Sequence, residues 1–290
     1  MTSQGSDVTL SLVIPVYNEE DILAACLEHV AGQDRPVDEC IVVDNNCTDG
    51  SRAIAESFSD RLPIRIVEES RPGVYWAREA GFSAASGDIL GRIDADTRLE
   101  PEWTSVVTEF LESQTDVAAM TGVGFGYDAP FAERIRTSLK AAAEKARRST
   151  VAGRRANTVF GANMAVRRPV WNEVRERQVE AAGTHEDHDL FYALDSAGHV
   201  AWQHPSMIAG VSARRMAAPI RSNAGYAAAA IRTAWLHGRR REAVVQAVKA
   251  PGFFVSLLVM KVVLVPFDPS DRSWRPGRNM WADRKSPVNE

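Results

Sequence analysis

The chain reads as an α/β protein built on a mostly parallel sheet flanked by helices, with a helical C-terminal appendage. Three observations predict this class. Apolar runs of strand length alternate with helix-length segments over residues 9–93, as in successive βαβ units. The runs are largely apolar and do not alternate strictly with polar residues, as befits strands covered on both faces. Polar residues follow each run, at the edge where parallel sheets hold their ligands.

Element by element, residues 10–16 read as the first buried strand, 21–31 as an amphipathic helix and 40–43 as the second strand. A polar turn at 45–49 opens a helix over 49–58, with Thr48 or Asp49 as its expected cap. Residues 64–67 supply a third strand, 73–85 a helix and 89–93 the fourth strand. Farther on, 102–112 read as helix, 117–121 as extended chain and 131–148 as a long charged helix expected to cover or border the site. The small residues of 161–166 suit a close approach to a ligand or another backbone. A last helix opens at Thr184, its expected cap, and ends near Gly198.

A chain of 290 residues can hold one large domain or a catalytic domain with an appendage, and the expected division falls after residue 215. Cys26, Cys40 and Cys47 are odd in number and lack a C-x-x-C spacing, which fits small buried residues in a reducing compartment. No apolar leader opens the chain, and no run reaches the roughly 20 uninterrupted apolar residues of a membrane span, so a cytoplasmic location is expected.

The net charge of −4 conceals an asymmetry: residues 201–290 hold 14 Lys and Arg against 5 Asp and Glu, a balance of +9, which leaves −13 for residues 1–200. The basic part contains an Ala-rich stretch at 225–236, then Arg239-Arg240-Arg241, then an apolar run at 253–267 broken only by Ser256, Lys261 and Pro266. This composition favours an anionic membrane surface over nucleic acid, with a helix lying peripherally on the cytoplasmic face. It fits equally a helix packed on the domain or in a homodimer interface.

Two acidic clusters stand out. Asp94-Ala95-Asp96 follows the fourth apolar run; paired carboxylates repel, and a divalent cation such as Mg²⁺ bridging them to substrate phosphates would compensate. An acidic turn at a strand end is the competing reading. The second cluster, Glu186-Asp187-His188-Asp189 after His185, holds more acid than a helix N-terminus requires and offers a general base.

Taken in order, several segments resemble the family 2 glycosyltransferases, inverting nucleotide-sugar enzymes of the GT-A fold. They are Val13-Ile-Pro-Val-Tyr-Asn-Glu-Glu20, the segment 42–51, and Gly73-Val-Tyr-Trp-Ala-Arg-Glu-Ala-Gly81. Ser86-Gly-Asp88 with Asp94-Ala-Asp96, Gly161-Ala-Asn163 with Arg167, and Glu186-Asp187 complete the set, over residues 9–215. The resemblance implies metal-dependent transfer of a sugar from a UDP-, GDP- or dTDP-sugar to a glycan or lipid-linked acceptor.

It implies, further, that Pro15, Tyr17, Glu19, Asp44, Arg71, Arg78, Asp94 and Ala95 bind the sugar nucleotide. Asp96 becomes the main metal ligand, assisted by Asp94, and Asp187 the general base, assisted by Glu186. Gly161, Ala162, Asn163, His185 and His188 would form the acceptor or donor-sugar pocket, and Arg214 and Arg215 would share the phosphate charge. The further metal-ligating histidine common in such folds is missing: residues 211–215 are Val-Ser-Ala-Arg-Arg, and His204 is offset.

Other classes fit less well. In a haloacid-dehalogenase-type phosphotransferase the D-x-D follows the first strand, and here it follows the fourth. A dinucleotide-binding oxidoreductase would carry G-x-G-x-x-G after the first strand, where this chain has Pro15-Val-Tyr-Asn-Glu19. A non-catalytic sugar-nucleotide-binding or membrane scaffold protein remains the alternative.

Overall fold

A computed structural model describes residues 8–147, 152–179, 183–217 and 220–275. The expected βαβ alternation is present. It comprises β1 (Leu10–Val16), α1 (Leu23–Ala31), β2 (Glu39–Asp44), α2 (Ser51–Glu56), β3 (Ile64–Glu68), α3 (Val74–Ala84) and β4 (Ile89–Arg92). Then come β5 (Arg98–Leu99), α4 (Trp103–Ser113), β6 (Val117–Gly126), α5 (Ala132–Arg147), β7 (Arg154–Arg155), β8 (Met164–Arg167), α6 (Arg168–Val174) and α7 (Glu186–Ser196). The chain continues through β9 (Val200–Val211), α8 (Arg214–Ala217), α9 (Ile220–Leu236), α10 (Arg240–Leu264) and a small hairpin of β10 (Phe267–Asp268) and β11 (Ser273–Trp274).

The sheet runs β3-β2-β1-β4-β8-β6-β9-β5, with β7 on the flank of β9. β1 to β4 are mutually parallel; β8 enters antiparallel to β4 and β6, and β6 and β9 are again parallel. β5 and β7 pair antiparallel with β9, so the sheet is mixed but mostly parallel.

Both faces of β1, β2 and β4 are covered, which is why most of their residues are apolar. On one side Leu10, Leu12, Ile14 and Val16 meet Leu27 of α1, Ala55 of α2 and Trp103 and Val107 of α4. On the other, Val13, Ile41, Val43 and Leu90 meet Ala77 and Phe82 of α3, Trp171 of α6 and Leu190 of α7. The period-two alternation of strand side chains sends neighbouring residues to opposite cores.

Several local expectations are corrected. α2 takes Gly50 as its N-cap, without a side-chain cap bond, though the Asp49 carboxylate accepts the Ser51 N–H at 3.0 Å. α7 takes His185 rather than Thr184 as N-cap, again without a side-chain cap bond, and the Gly198 φ of 83° ends it as expected. α5 does not cover the site: Ala132, Leu139 and Ala143 pack on Phe125 and Ile208 of β6 and β9. Its expected end at Arg148 lies outside the described residues.

The apolar run near the C-terminus belongs to a longer element than its composition suggested. α10 spans 25 residues through Pro251, with a mean hydropathy of 1.8 over its most apolar window. By length and composition alone it is long enough to cross a membrane. Interruptions by Lys249, Pro251 and Gly252 concealed this length in the sequence.

Candidate active site

The loops at the C-terminal ends of β1 to β3 are stitched together by side-chain to backbone bonds. Asn18 accepts the Thr48 N–H at 2.7 Å, and Ser51 Oγ accepts the Glu19 N–H at 2.9 Å. Buried Asn45 donates to the carbonyls of Glu69 and Arg71, each at 2.7 Å, and accepts the Gly73 N–H at 2.9 Å. These bonds satisfy buried backbone groups and hold the polar strand ends as one rim.

Behind the rim lies a cavity of about 330 Å³ whose walls include Asp94, Asp96, Ala162, His185, Glu186, Asp187 and Arg215. The two acidic clusters, nearly a hundred residues apart, therefore share one space. What joins them is Arg92, which the sequence reading passed over. Its guanidinium is 2% exposed and donates to Asp187 Oδ1 and Asp94 Oδ1, each at 2.9 Å, with Glu186 Oε1 at 3.6 Å. Burial alone would lower the Arg92 pKa, but the Asp94, Asp187 and Glu186 charges outweigh it and push it up. The signal was present: an arginine in an otherwise apolar strand, two residues before Asp94 and thus on the same face.

The second Asp187 oxygen accepts the Gly161 N–H at 2.9 Å. A Cβ at Gly161 would lie 1.8 Å from Arg92 Nη1 and 2.3 Å from Asp187 Oδ1, so only glycine fits. Gly161 thus serves the Arg92–Asp187 pair and is not itself a pocket wall. Burial, and next the Glu186 charge, raise the Asp187 pKa. Burial works the same way on Glu186, but Arg92, His185 and Arg78 prevail and hold it at about 2.

Other expected residues take different places. Arg78 is fully buried beneath the cavity, where it donates to the Glu186 carbonyl at 3.0 Å and to Gln178, so it steadies the start of α7. Asn163 is also fully buried; Trp103 Nε1 donates to it at 2.7 Å, and its amide donates to the carbonyls of Val123 and Met207. It ties the sheet together behind the cavity, because its amide meets backbone groups that the irregular β6–β9 pairing leaves open. Arg71 folds back on Glu69 at 2.7 Å and over the Trp76 ring at 3.8 Å. Pro15, Tyr17 and Asp44 stand at the adjoining ends of β1 and β2, where Val16 is in register with Asp44. His188 packs edge-on against His185 with ring centres 4.5 Å apart, and His204 sits against Phe110, away from the cavity.

One wall comes from the C-terminal region. Asp128 accepts the Ser212 hydroxyl at 2.6 Å and the Ala213 N–H at 2.8 Å, shaping the turn that presents Arg214. Arg214 donates to Asp96 at 3.0 Å and to Glu19 at 3.2 Å. Tyr226 and Ala229 of α9 line the cavity, and Tyr226 packs on His185 at 4.4 Å with Arg215 4.7 Å from its ring centre. Thr233 Oγ1 accepts the His185 N–H at 2.8 Å, and His237 meets Asp189 at 2.6 Å. Helix α9 and the residue after it are therefore joined to α7 and its N-cap at two points. Neither His185 ring nitrogen has a partner among the described residues, although the ring is 4% exposed.

Among the described residues no three His, Cys, Asp or Glu side chains gather into a self-sufficient metal site. Asp94 and Asp96 do fit a divalent cation of the kind held by one or two carboxylates together with substrate phosphates. Arg214 provides the balancing charge at Asp96 here.

A doubly covered, mostly parallel sheet with carboxylates, arginines and a histidine converging on a cavity at its strand ends defines an α/β ligand-binding site of the enzymatic type. Residues 11–175 match the model of glycosyl transferase family 2, and the chain belongs to that family. Among similar proteins, glycosyltransferase AglE of Haloferax volcanii is 37% identical over 119 residues, covering 39% of this chain and 36% of that protein. YibD of Escherichia coli, an uncharacterized glycosyltransferase, is 32% identical over 111 residues, covering 38% and 32%. These matches span about a third of each relative. The fold matches the crystal structure of S. aureus TarS with a TM-score of 0.56 at 15% identity, over 78% of this chain and 39% of that one. It also matches GalNAc-T7 with UDP, GalNAc and Mn²⁺, with a TM-score of 0.55 at 15% identity, over 71% and 43%.

Proposed function

We propose that the protein transfers a sugar from a nucleotide-diphosphate sugar to an acceptor hydroxyl with inversion at the anomeric carbon. The observation that carries this reading is Arg92, which joins the Asp94 and Asp187 carboxylates across one cavity in a chain of this family. The acceptor oxygen bonds to the anomeric carbon as the bond to the diphosphate oxygen breaks on the opposite face. The hydroxyl proton passes to Asp187, and the bond electrons leave with the nucleoside diphosphate. Arg92 and the Gly161 N–H keep the Asp187 carboxylate aimed, while burial keeps it basic.

The strand-end rim at Pro15, Tyr17, Glu19, Asp44 and Arg71 receives the nucleoside, with Asp94 and Ala95 on the ribose side. Mg²⁺ or Mn²⁺ would be held by Asp96, with Asp94, and by diphosphate oxygens, and it would neutralise the leaving diphosphate. Arg214 and Arg215 add positive charge there. His185, with both ring nitrogens unpaired among the described residues, hydrogen-bonds the transferred sugar or acceptor beside Ala162 and His188. The acceptor is a glycan or lipid-linked hydroxyl. The basic C-terminal segment supports work at the cytoplasmic face of an anionic membrane.

The test is nucleotide release from UDP-, GDP- and dTDP-sugars with Mn²⁺. Turnover with one donor is expected, and Asp187→Asn is expected to lower it by about 10²–10⁴. Unchanged turnover in that variant removes Asp187 as the base. Binding of a donor without turnover points to a non-catalytic sugar-nucleotide-binding protein.

A further inference from the structure

The position of α10 leaves one long apolar face of the helix bare. Its buried residues Ala243, Leu257 and Leu264 are turned toward the protein. Ala243 packs with Tyr192 and Ala234, and Leu264 packs with Ala129, Ala213 and Phe267. At about 100° per residue, the opposite side of the helix carries Val244, Val248, Val255, Leu258, Val259 and Val262. All six are more than half exposed, from 51% at Leu258 to 76% at Val262. The helix is apolar nearly all round because it has two apolar faces, one packed and one bare.

Both ends of the helix rest on the body that carries the cavity, Ala243 against α7 and α9 and Leu264 beside the turn that presents Arg214. A helix held at each end by one globular body lies along it and cannot thread through a bilayer. Its bare stripe, about 27 Å long from Val244 to Val262, is therefore presented sideways.

Charge selects the occupant. Arg240 and Arg241 are exposed at the start of the stripe, and Lys249 and Lys261 border it on either side. The described acids of this region are Glu242, Asp268 and Asp271, and the two aspartates are engaged by Arg275. An apolar strip flanked by lysines and arginines matches the acyl and headgroup layers of an anionic bilayer, where long basic side chains reach the phosphates.

We infer that α10 docks flat on an anionic membrane through the Val244–Val262 stripe. This gives the membrane association of the proposed function a definite surface and orientation. Because α9 packs against α10 and lines the cavity with Tyr226 and Ala229, docking brings the cavity alongside the lipid headgroups.

The experiment uses the full chain and vesicles of phosphatidylcholine with phosphatidylglycerol, and it requires no donor sugar, so its result stands apart from that of the transfer assay. Sedimentation with these vesicles is expected, with little on phosphatidylcholine alone, and release by high salt and alkaline carbonate. The triple substitution Val248→Asp, Val255→Asp, Val262→Asp is expected to lower partitioning roughly tenfold or more at an unchanged Tm, since all three side chains are exposed. Arg240→Glu with Arg241→Glu is expected to remove the preference for anionic lipid. Absence of sedimentation, wild-type sedimentation of the triple variant, or resistance to carbonate would each overturn the inference. So would a dimer, seen by light scattering, that the triple variant dissolves while vesicle binding persists.

Discussion

Replacing Arg92 by methionine removes the cation shared by Asp94, Glu186 and Asp187 and fills much of the same volume. The guanidinium is 2% exposed and its two contacts to Asp94 and Asp187 are both 2.9 Å; of the carboxylates left behind, the Asp187 side chain is only 10% exposed. Breaking a buried ion pair from one side costs about 3–5 kcal/mol. For a chain of this size that corresponds to a fall in Tm of roughly 10 °C. The pH dependence separates lost charge from lost packing. Glu186 is held at about 2 in the native protein, below its unfolded value of roughly 4.3. The stability it draws from Arg92 is therefore present above about pH 4.3 and lost as pH falls through about 2. The deficit of the variant should narrow as acid protonates its uncompensated carboxylates. Urea unfolding followed by tryptophan fluorescence at several pH values measures it. A deficit under about 1 kcal/mol, or one constant from about pH 7 to about pH 3, would refute the assignment.

Three further outcomes are expected. Gly161→Ala should destabilise by about 1–3 kcal/mol and abolish transfer, because its Cβ would lie 1.8 Å from Arg92 Nη1; full activity would show that the Asp187 carboxylate need not be held there. Asp96→Asn should weaken the Mn²⁺-dependent rise in Tm given by the nucleoside diphosphate of the donor that turns over, and an undiminished rise would place the cation elsewhere. Burial, and next the Arg147 charge, lower His204 to about 4, against roughly 6.5 when unfolded. The stability this contributes is complete above about pH 6.5 and lost as pH falls through about 4, and His204→Gln should flatten that part of the Tm–pH curve. Parallel curves for the two proteins would exclude His204 as the cause.

The helices and strands around the first four polar loops were legible because their signals are local. Burial on both faces makes β1, β2 and β4 mainly apolar, and a parallel sheet delivers the residues after them to one edge. Asp94, Asp96, Glu186 and Asp187 were visible as acid beyond what turns and helix starts need. β9 was missed: Pro205 and the polar residues Gln203, His204 and Ser206 break its apolar pattern, and its length comes from pairing with β6. Arg78 and Asn163 were expected at the pocket and proved to be buried ties, since polar residue type alone does not distinguish contact with a ligand from contact with backbone.

The sequence by itself determined the α/β class, the order of the strand ends and the supply of carboxylates, because periodicity and burial act over a few residues. Only the tertiary structure decided that Arg92 meets Asp187, that Gly161 must lack a side chain to let them meet, and that α9 supplies part of the cavity wall. These contacts join positions far apart in the chain. Their energies come from desolvation, shared charge and close packing, which exist only once the sheet and its helices have brought the groups together.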